Sequence, residues 1–519
     1  MTKRPNIIFI MSDDHAAQAI SCYGHGLNET PNLDRIAQGG MRHDATYVTN
    51  SICTPSRAAI LTGTYNHTNC VTTLDTHIDN RMPNVAKTLR AGGYRTAIFG
   101  KWHLGETAGH TPTGFDEWSI VPGQGDYWDP AFISPEGRKR IPGYATDIIT
   151  DLSIDFMERS IASDPDQPFF LMCHHKAPHR NWQYHPRYKH LWADKDVPLP
   201  ATFHDDYRNR AAAAAAAKMR IKEDMLYEDI ALVQPEGGAD VAGEMMVDPW
   251  PMRKIPELMP GETITVICSE TGTNYTFDDP AEFAAFKFQR YMKRYFRTIA
   301  AIDDGVGKML DWLEDKGLAE DTIVIYTSDQ GFFLGEHGWF DKRFMYRESH
   351  QMPFLVRYPR AIAAGSTSAD IACNVDFAPT FLDYAGLQMP NYMQGRSLRG
   401  VWEEKTPDDW EQVAYHRYWM HNDIIHNAWA HYGVRDDRYL LIYWYNDDLG
   451  QIGARPNDAP PEWELFDTQV DPNELNNVAA DPAYAGVFRD MLAKLDRRMA
   501  LIGDIPEHDS AVVLAGLAA

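Results

Sequence analysis

An apolar run near the start of the chain restricts its fold more than any other segment. Residues 6–11 read N-I-I-F-I-M, and apolar side chains occupy both alternating sets of positions. A run of this length is too short for a typical helix and is typical of a strand buried on both faces, as in a parallel sheet. Residues 322–327 have the same character. The two runs predict neighbouring strands inside an α/β fold.

Oxygen-bearing side chains follow both runs. Asp13 and Asp14 come after the first, and Asp329 and Gln330 come after the second. Ligands of open α/β sheets bind at the carboxyl ends of the strands, and adjacent carboxylates that repel one another are commonly neutralised by a hard cation. The alternative for the first pair, a helix N-cap followed by a surface acid, is equally consistent with those residues alone. His15 is a candidate neighbour of the site.

The segment 51–63, S-I-C-T-P-S-R-A-A-I-L-T-G, predicts a helix. Thr54 is the expected N-cap, Pro55 the first helical residue and Gly63 the end. Cys53 would then lie just ahead of the helix, where free N–H groups favour an anion. Arg57 would reach back to a bound oxyanion. An isolated cysteine at such a position is more often a buried structural residue.

The string C-T-P-S-R followed by L-T-G resembles the signature of type I, formylglycine-dependent sulfatases of the alkaline-phosphatase-like superfamily. The resemblance implies that a formylglycine-generating maturation enzyme oxidises Cys53 to formylglycine. It also implies that Asp13 and Asp14 bind a metal ion, since members of the family open with this strand and acid pair.

Three further motifs resemble the same family. G-K-W-H-L-G implies that Lys101 and His103 contact the formylglycine and the sulfate; in an extended chain, both side chains would point to one side. A-P-H implies that His179 protonates the leaving oxygen, with His174 and His175 as rivals. D-K-R implies that Lys342 is a second catalytic lysine, with Arg343 as its rival.

The implied metal ligands are Asp13, Asp14, Cys53 in its modified form, Asp329 and Gln330. Hard oxygen donors favour Ca²⁺, the usual metal of the family, with Mg²⁺ or Mn²⁺ as alternatives. The family pattern after the second strand is an Asp followed by Asn or His. Gln330 departs from it, and its longer side chain makes it the least secure of these ligands.

The resemblance implies the following mechanism. Formylglycine at position 53 is hydrated to a geminal diol, and one of its hydroxyls attacks sulfur while His179 protonates the leaving alcohol. The other hydroxyl then loses its proton to His103 and expels sulfate. Arg57, Lys101, Lys342 and the metal neutralise the anion. Unmodified Cys53 could attack sulfur but could not release sulfate.

The resemblance covers most of the chain and implies a large mixed, mostly parallel sheet flanked by helices, with a smaller C-terminal antiparallel sheet plus helix. We predict a catalytic domain over residues 1–394 and an α+β subdomain over 395–519. Long helices are predicted over 145–161, 281–313 and 483–501, and aromatic-rich strands over 412–419, 431–436, 438–445 and 463–466. We expect a loosely held tail after Gly503, and surface positions for His421, His426 and His431, with the pocket rim as the alternative.

Residues 196–276 are the least interpretable part of the sequence. The run 211–217 is all alanine, which predicts a helix with little to bury, and the Gly- and Pro-rich residues 237–261 indicate an excursion from the main fold. Such segments vary between related enzymes and can shape substrate access.

Composition excludes several classes of partner. The net charge of −24 argues against nucleic acid and anionic membranes, and no apolar run approaches the ~20 residues of a membrane helix. An anionic substrate fits only if cations are concentrated in one pocket. The six cysteines have neither zinc spacing nor the density of a disulfide framework. Without a signal peptide in this sequence we expect a cytoplasmic protein, or a periplasmic one if a leader was removed.

Two other functions fit this sequence. One is hydrolysis of phosphonate or phosphate esters on the same scaffold, alone or beside sulfate esters, and the other is carbohydrate binding by an inactive homologue. The motif order most resembles bacterial sulfatases acting on sugar sulfates, which favours a saccharide or aryl sulfate ester as substrate.

Overall fold

A computed structural model describes residues 4–235, 245–247 and 250–518. Part of the predicted excursion at 237–261 therefore lies outside the described residues. The described helices are α1 (Pro31–Gln38), α2 (Cys53–Thr62), α3 (Asn66–Asn69), α4 (Val85–Ala91), α5 (Ala145–Ser163), α6 (Ala212–Ala216), α7 (Pro280–Asp315), α8 (Arg347–His350), α9 (Phe377–Tyr384), α10 (Arg399–Trp402), α11 (Ala485–Ile502) and α12 (Ser510–Ala518).

The described strands are β1 (Asn6–Ser12), β2 (Met41–Tyr47), β3 (Arg95–Lys101), β4 (Glu117–Val121), β5 (Ala131–Ser134), β6 (Gly137–Arg140), β7 (Phe169–His174), β8 (Leu232–Val233), β9 (Met245–Val247), β10 (Trp250–Arg253), β11 (Ile264–Cys268), β12 (Asn274–Phe277), β13 (Thr322–Ser328), β14 (Phe333–Leu334), β15 (Phe340–Asp341), β16 (Gln351–Arg357), β17 (Ser366–Ser368), β18 (Ala372–Cys373), β19 (Ala414–Tyr418), β20 (His431–Arg435), β21 (Tyr439–Trp444) and β22 (Glu462–Asp467).

Eleven strands form the main sheet, in the order β17-β2-β16-β13-β1-β7-β3-β4-β5-β6, with β18 also paired to β2. The central strands β13, β1, β7, β3 and β4 are parallel, whereas β16 joins β13 in antiparallel fashion. This confirms the predicted mixed, mostly parallel sheet. The two apolar runs are neighbours, because β1 pairs with β13 from Asn6↔Thr322 to Ser12↔Ser328.

Strand β1 is buried on both faces, as its composition predicts. Ile7, Phe9 and Met11 pack with apolar residues of α2, α4 and α9 on one face of the sheet. Ile8 and Ile10 pack with residues of α1, α5 and α7 on the other. Burial on both sides explains why this strand lacks the alternation of polar and apolar residues that an exposed strand shows.

The C-terminal strands form the predicted antiparallel sheet, in the order β19-β20-β21-β22. One face packs against α11 through residues such as Val434, Leu441 and Leu492. The other packs on the catalytic region, where Tyr418 and Trp444 join a cluster with Trp339. The domain boundary at 394/395 stays a prediction.

Three expectations about the less regular segments are wrong. The tail is held from Gly503 as far as His508, because Arg417 pairs with Asp504 at 2.9 Å and the Tyr432 hydroxyl lies 2.7 Å from Nδ1 of His508. Two of the alanines of the short α6, residues 213 and 214, are fully buried against the C-terminal sheet. His421, His426 and His431 are buried, because this sheet packs against the body of the protein.

The described residues contain no helix that is both long and apolar enough to cross a membrane. All six cysteines lie within the described ranges and are free.

Candidate active site

Three carboxylates meet at the carboxyl ends of β1 and β13. Asp13, Asp14 and Asp329 are buried, and each offers an oxygen within 4.8 Å of the others. The adjoining backbone is fixed, since the Asp329 N–H donates to the carbonyl of Ser12 at 3.2 Å. The Asp14 N–H donates to Oδ1 of Asp329 at 3.2 Å. Parallel pairing of two distant strands thus brings together acids that are more than 300 residues apart.

Burial and mutual repulsion oppose ionisation of this cluster. Burial, with the charges of Asp13 and Asp329, raises the pKa of Asp14 to about 8 despite the nearby Lys342. Burial and Asp13 likewise raise the pKa of Asp329. Burial would also raise the pKa of Asp13, but Lys101, with His179 and Arg57, holds it well below its usual range. A divalent cation would relieve the repulsion that remains between these acids.

Cys53 lies against this cluster at the beginning of α2. Its thiol donates to Oδ1 of Asp13 at 3.3 Å. The prediction that Thr54 caps the helix and Pro55 opens it is wrong, because α2 begins at Cys53, with Ile52 in the N-cap position. The Thr54 hydroxyl instead lies 3.3 Å from Nδ1 of His103. Burial, with the charge of Asp13, raises the pKa of the Cys53 thiol well above its usual range.

Arg57 connects α2 to the acids. Its Nε and one terminal nitrogen donate to Oδ2 of Asp329 at 3.1 and 2.9 Å, and its other terminal nitrogen donates to the carbonyl of Lys101 at 2.8 Å. The guanidinium also lies 3.6 Å from Oδ2 of Asp13. Arg57 therefore fixes two of the carboxylates instead of projecting freely into the pocket.

Two lysines reach the cluster from different elements. Lys101, at the end of β3, pairs with Asp13 and also donates to the amide oxygen of Gln124. Lys342, just after β15, donates to both oxygens of Asp14 at 2.7 and 2.8 Å. Both predicted lysines are thus within the site. The rival Arg343 instead extends toward Tyr418 and His426.

His103 and His179 border the site from two loops. The expectation that Lys101 and His103 extend from a straight strand is wrong, because β3 ends at Lys101 and His103 has a φ of +55°. Nε2 of His179 lies 3.7 Å from Oδ2 of Asp14, and its Nδ1 lies 2.6 Å from the carbonyl of Arg180. Burial and Lys101 lower the pKa of both histidines well below the usual range.

The two rivals of His179 lie elsewhere. Nδ1 of His174 is 3.2 Å from the carbonyl of Lys101, and Nε2 of His175 is 3.5 Å from Sγ of Cys173. Neither lines the cavity above Cys53, whereas His179 does. His15 also turns away from the carboxylates, with its Nδ1 2.5 Å from the hydroxyl of Tyr326.

Cys53, His179 and Lys342 line an open cavity of about 1230 Å³. Its wall includes His426, which bears out for this histidine the alternative expectation of a place at the pocket rim. His426 lies between Asp423 at 2.9 Å and Asp341 at 3.3 Å, and sequence reasoning did not identify these two partners. The wall also includes Lys176, whose pKa burial and Lys101 lower to about 8. In the sequence, the only indication that Lys176 belongs to the site is its position three residues before His179 in the string H-K-A-P-H.

The donor set fits a hard cation. It consists of three carboxylates and the amide of Gln330, whose Oε1 is buried and has no hydrogen-bond partner in the described part of the chain. Buried oxygens normally accept a hydrogen bond, and amide oxygens are ligands of Ca²⁺, so a buried oxygen that accepts none beside clustered acids is a candidate metal ligand. The Nε2 of Gln330 donates to Asp14, so its longer side chain does reach the cluster.

A large mixed α/β sheet with acids at its strand ends and a cysteine beside them is the arrangement that the resemblance to hydrolases of the alkaline-phosphatase-like superfamily implies. The family model for sulfatases matches residues 5–387, and that for the C-terminal region of N-sulphoglucosamine sulphohydrolase matches residues 335–500. The chain belongs to the sulfatase family. It is a sulfuric ester hydrolase, as the C-T-P-S-R motif predicts.

Individual relatives agree with this assignment. The chain is 42% identical to N-acetylglucosamine-6-O-sulfatase of Bacteroides thetaiotaomicron, over 99% of this chain and 89% of that one. It is similar, with a TM-score of 0.83 and 40% identity, to a protein solved in complex with its substrate D-glucosamine-2-N,6-O-disulfate, over 96% of this chain and 98% of that one. Phosphonate monoester hydrolase of Agrobacterium radiobacter has a TM-score of 0.67 at 21% identity, over 96% and 95% of the two chains, and shares only the fold.

Proposed function

We propose that this sulfatase removes 6-O-sulfate from glucosamine-type sugars, using formylglycine made from Cys53 and a bound Ca²⁺. The observation that carries the proposal is the contact of the Cys53 thiol with Asp13 inside a buried carboxylate cluster at the base of an open cavity. The 42% identity to N-acetylglucosamine-6-O-sulfatase supports the choice of sugar.

The cations of the site would neutralise the sulfate. Lys101 and Lys342 lie near Cys53 and are paired with different acids of the cluster, Lys101 with Asp13 and Lys342 with Asp14. Because both lysines are buried and pinned by carboxylates, their charges are oriented before substrate arrives, which is the arrangement that lowers a barrier most. Arg57 has the supporting role of holding Asp329 and the carbonyl of Lys101.

The two histidines would handle protons. Nδ1 of His179 faces the carbonyl of Arg180, so it carries hydrogen and leaves Nε2 directed toward the acid cluster. To act as the general acid, His179 would carry a second proton on Nε2, a form that the charge of Asp13 favours against the opposing effects of burial and Lys101. That proton would pass to the leaving oxygen of the sugar. His103 contacts Thr54 in the same turn of α2 as Cys53 and is suited to accept a proton there.

Asp13, Asp14, Asp329 and Gln330 would hold the cation. The hydrated formylglycine would supply an oxygen nucleophile, and Ca²⁺ would polarise the sulfate. The cluster of Asp341, Arg343, Asp423 and His426 could hydrogen-bond to the hydroxyls of the sugar ring, because it faces the same cavity as Cys53.

Peptide mass spectrometry and a substrate comparison test this proposal. Trypsin should release residues 43–57, which contain Cys53 alone, and residues 58–81, which contain the exposed Cys70. In protein produced with a formylglycine-generating enzyme, we expect the first peptide to carry an aldehyde and the second an unchanged thiol. The modified protein should release sulfate from N-acetylglucosamine 6-O-sulfate faster than it cleaves an aryl phosphonate ester.

Two cysteine variants test whether turnover depends on Cys53 specifically. Cys53→Ala should abolish turnover, whereas Cys70→Ala should retain it, because Cys70 lies outside the site. Turnover by protein whose Cys53 remains a thiol would contradict the formylglycine mechanism. Faster cleavage of the phosphonate would favour a phosphonate or phosphate ester hydrolase. Binding of the sugar without turnover by the aldehyde form would favour an inactive, carbohydrate-binding homologue.

A further inference from the structure

A second cavity of about 830 Å³ adjoins the cavity above Cys53. Both are lined by Trp128, Asn181 and Gln183, so they meet at these three residues. Asn181 and Gln183 follow His179 on the same loop, and Trp182 between them is fully buried against Tyr291 at a ring-centroid distance of 4.5 Å. The boundary between the cavities is thus anchored a few residues from the proposed general acid.

Trp128 is held as an exposed platform at this boundary. Its side chain is 37% exposed, while its ring packs against Tyr144 at 5.0 Å and His185 at 5.3 Å. The Tyr144 hydroxyl donates to the carbonyl of Gln183 at 3.0 Å, which ties the platform to the His179 loop. A fixed aromatic face beside side-chain amides suits a sugar ring, which has an apolar C–H face and a polar rim.

The charge of the second cavity differs from that of the first. Its charged lining comprises two carboxylates and two guanidinium groups, Glu228, Arg253, Glu270 and Arg294. Arg294 pairs with Glu270 at 2.9 Å, which balances their charges within the wall. The cationic centre for a sulfate lies in the first cavity, whereas the second suits an uncharged group rich in hydroxyls.

Residues within the segment 196–276 form much of the wall of the second cavity. Tyr227, Glu228 and Leu232 line the second cavity on one side, and Ser269 and Glu270 contribute further along. All belong to residues 196–276, the segment expected to shape substrate access. Together the cavities exceed the volume that a single small ligand needs.

We propose that the second cavity binds the sugar residue next to the sulfated one, with Trp128 as the stacking platform between the two. The natural substrate is then an oligosaccharide. The inference rests on the proposed function, because the sulfated residue must occupy the cavity above Cys53.

Two substrates with the same sulfated residue test the proposal. One is N-acetylglucosamine 6-O-sulfate, and the other is chitotriose with one 6-O-sulfate on its non-reducing end. We expect a higher kcat/KM for the trisaccharide. Trp128→Ala should lower that preference about 3- to 10-fold, the range for loss of an aromatic contact. Trp128→Phe should restore most of it.

Trp312→Phe serves as the control, because Trp312 lies on α7 outside both cavities and donates to Glu158. Calorimetry with Cys53→Ala protein measures the same preference in binding, without turnover. Equal affinity and equal kcat/KM for the two saccharides would overturn the inference while leaving the proposed function intact. A preference that Trp128→Ala does not reduce would overturn the role of Trp128. If neither sulfate is hydrolysed, the proposed function fails, and the calorimetric comparison still decides whether the second cavity binds sugar.

Discussion

Replacement of Arg57 by alanine should destabilise the protein strongly. Arg57 is buried, and it donates two hydrogen bonds to Asp329 and one to the carbonyl of Lys101. Removing one partner of a buried ion pair typically costs about 3–5 kcal/mol, because the other charge stays buried without compensation. Asp329 would be that charge, and its pKa, already raised by burial and by Asp13, would rise further.

Chemical denaturation of Arg57→Ala, Arg57→Lys and the parent protein measures this loss. A lysine keeps the charge but cannot make the forked contact with Asp329, so we expect it to recover only part of the stability. Arg81→Ala is the matched control, because Arg81 makes its ion pair with Asp79 on the surface, and no change is expected. The reasoning is refuted if Arg57→Ala is as stable as the parent, or if Arg57→Lys recovers all of the loss.

Two further predictions concern single side chains. Gln330→Ala should weaken Ca²⁺ binding about 10- to 100-fold in calorimetry, because it removes the Oε1 that has no hydrogen-bond partner among the described residues. Gln330→Asn should weaken binding less. Unchanged affinity in the alanine variant would show that Gln330 is not a ligand. Burial lowers the pKa of Lys287 to about 7. Because the folded protein then binds fewer protons than the unfolded chain above pH 7, this lysine should make stability rise between pH 7 and 9 by at most about 1.4 kcal/mol per unit. Lys287→Met should remove that rise, so parallel stability curves for the two proteins over this range would contradict the assignment.

Features encoded by local patterns were predictable from the sequence. Residues 7–11 are apolar throughout because β1 is covered on both faces. The long helix predicted over residues 281–313 is α7, which spans Pro280–Asp315. The acids at the strand ends meet because two parallel strands pair in register, which follows once both runs are assigned to one sheet.

Features that depend on long-range packing were not predictable. The choice of His179 over His174 came from the A-P-H motif and not from any local pattern; the physical difference is that β7 continues through His174, whereas His179 lies on the loop that faces the cavity. His426 reaches Asp341 because the C-terminal sheet packs on the catalytic region. Thr54 has the right chemistry for an N-cap, yet the Ile52 carbonyl accepts the N–H of Ser56 at 3.1 Å, so the helix starts earlier.

The net charge of −24 and an anionic substrate are compatible because the acids of the site organise its cations. Lys101, Lys342 and Arg57 are each paired with a buried carboxylate, and without those partners burial would disfavour their charged forms. Burial alone would lower the pKa of Lys342. The charges of Asp14 and the groups around it outweigh burial and raise this pKa, so the ammonium stays charged. Net charge therefore describes the surface that the protein presents to large partners, whereas paired buried charges determine what the pocket binds.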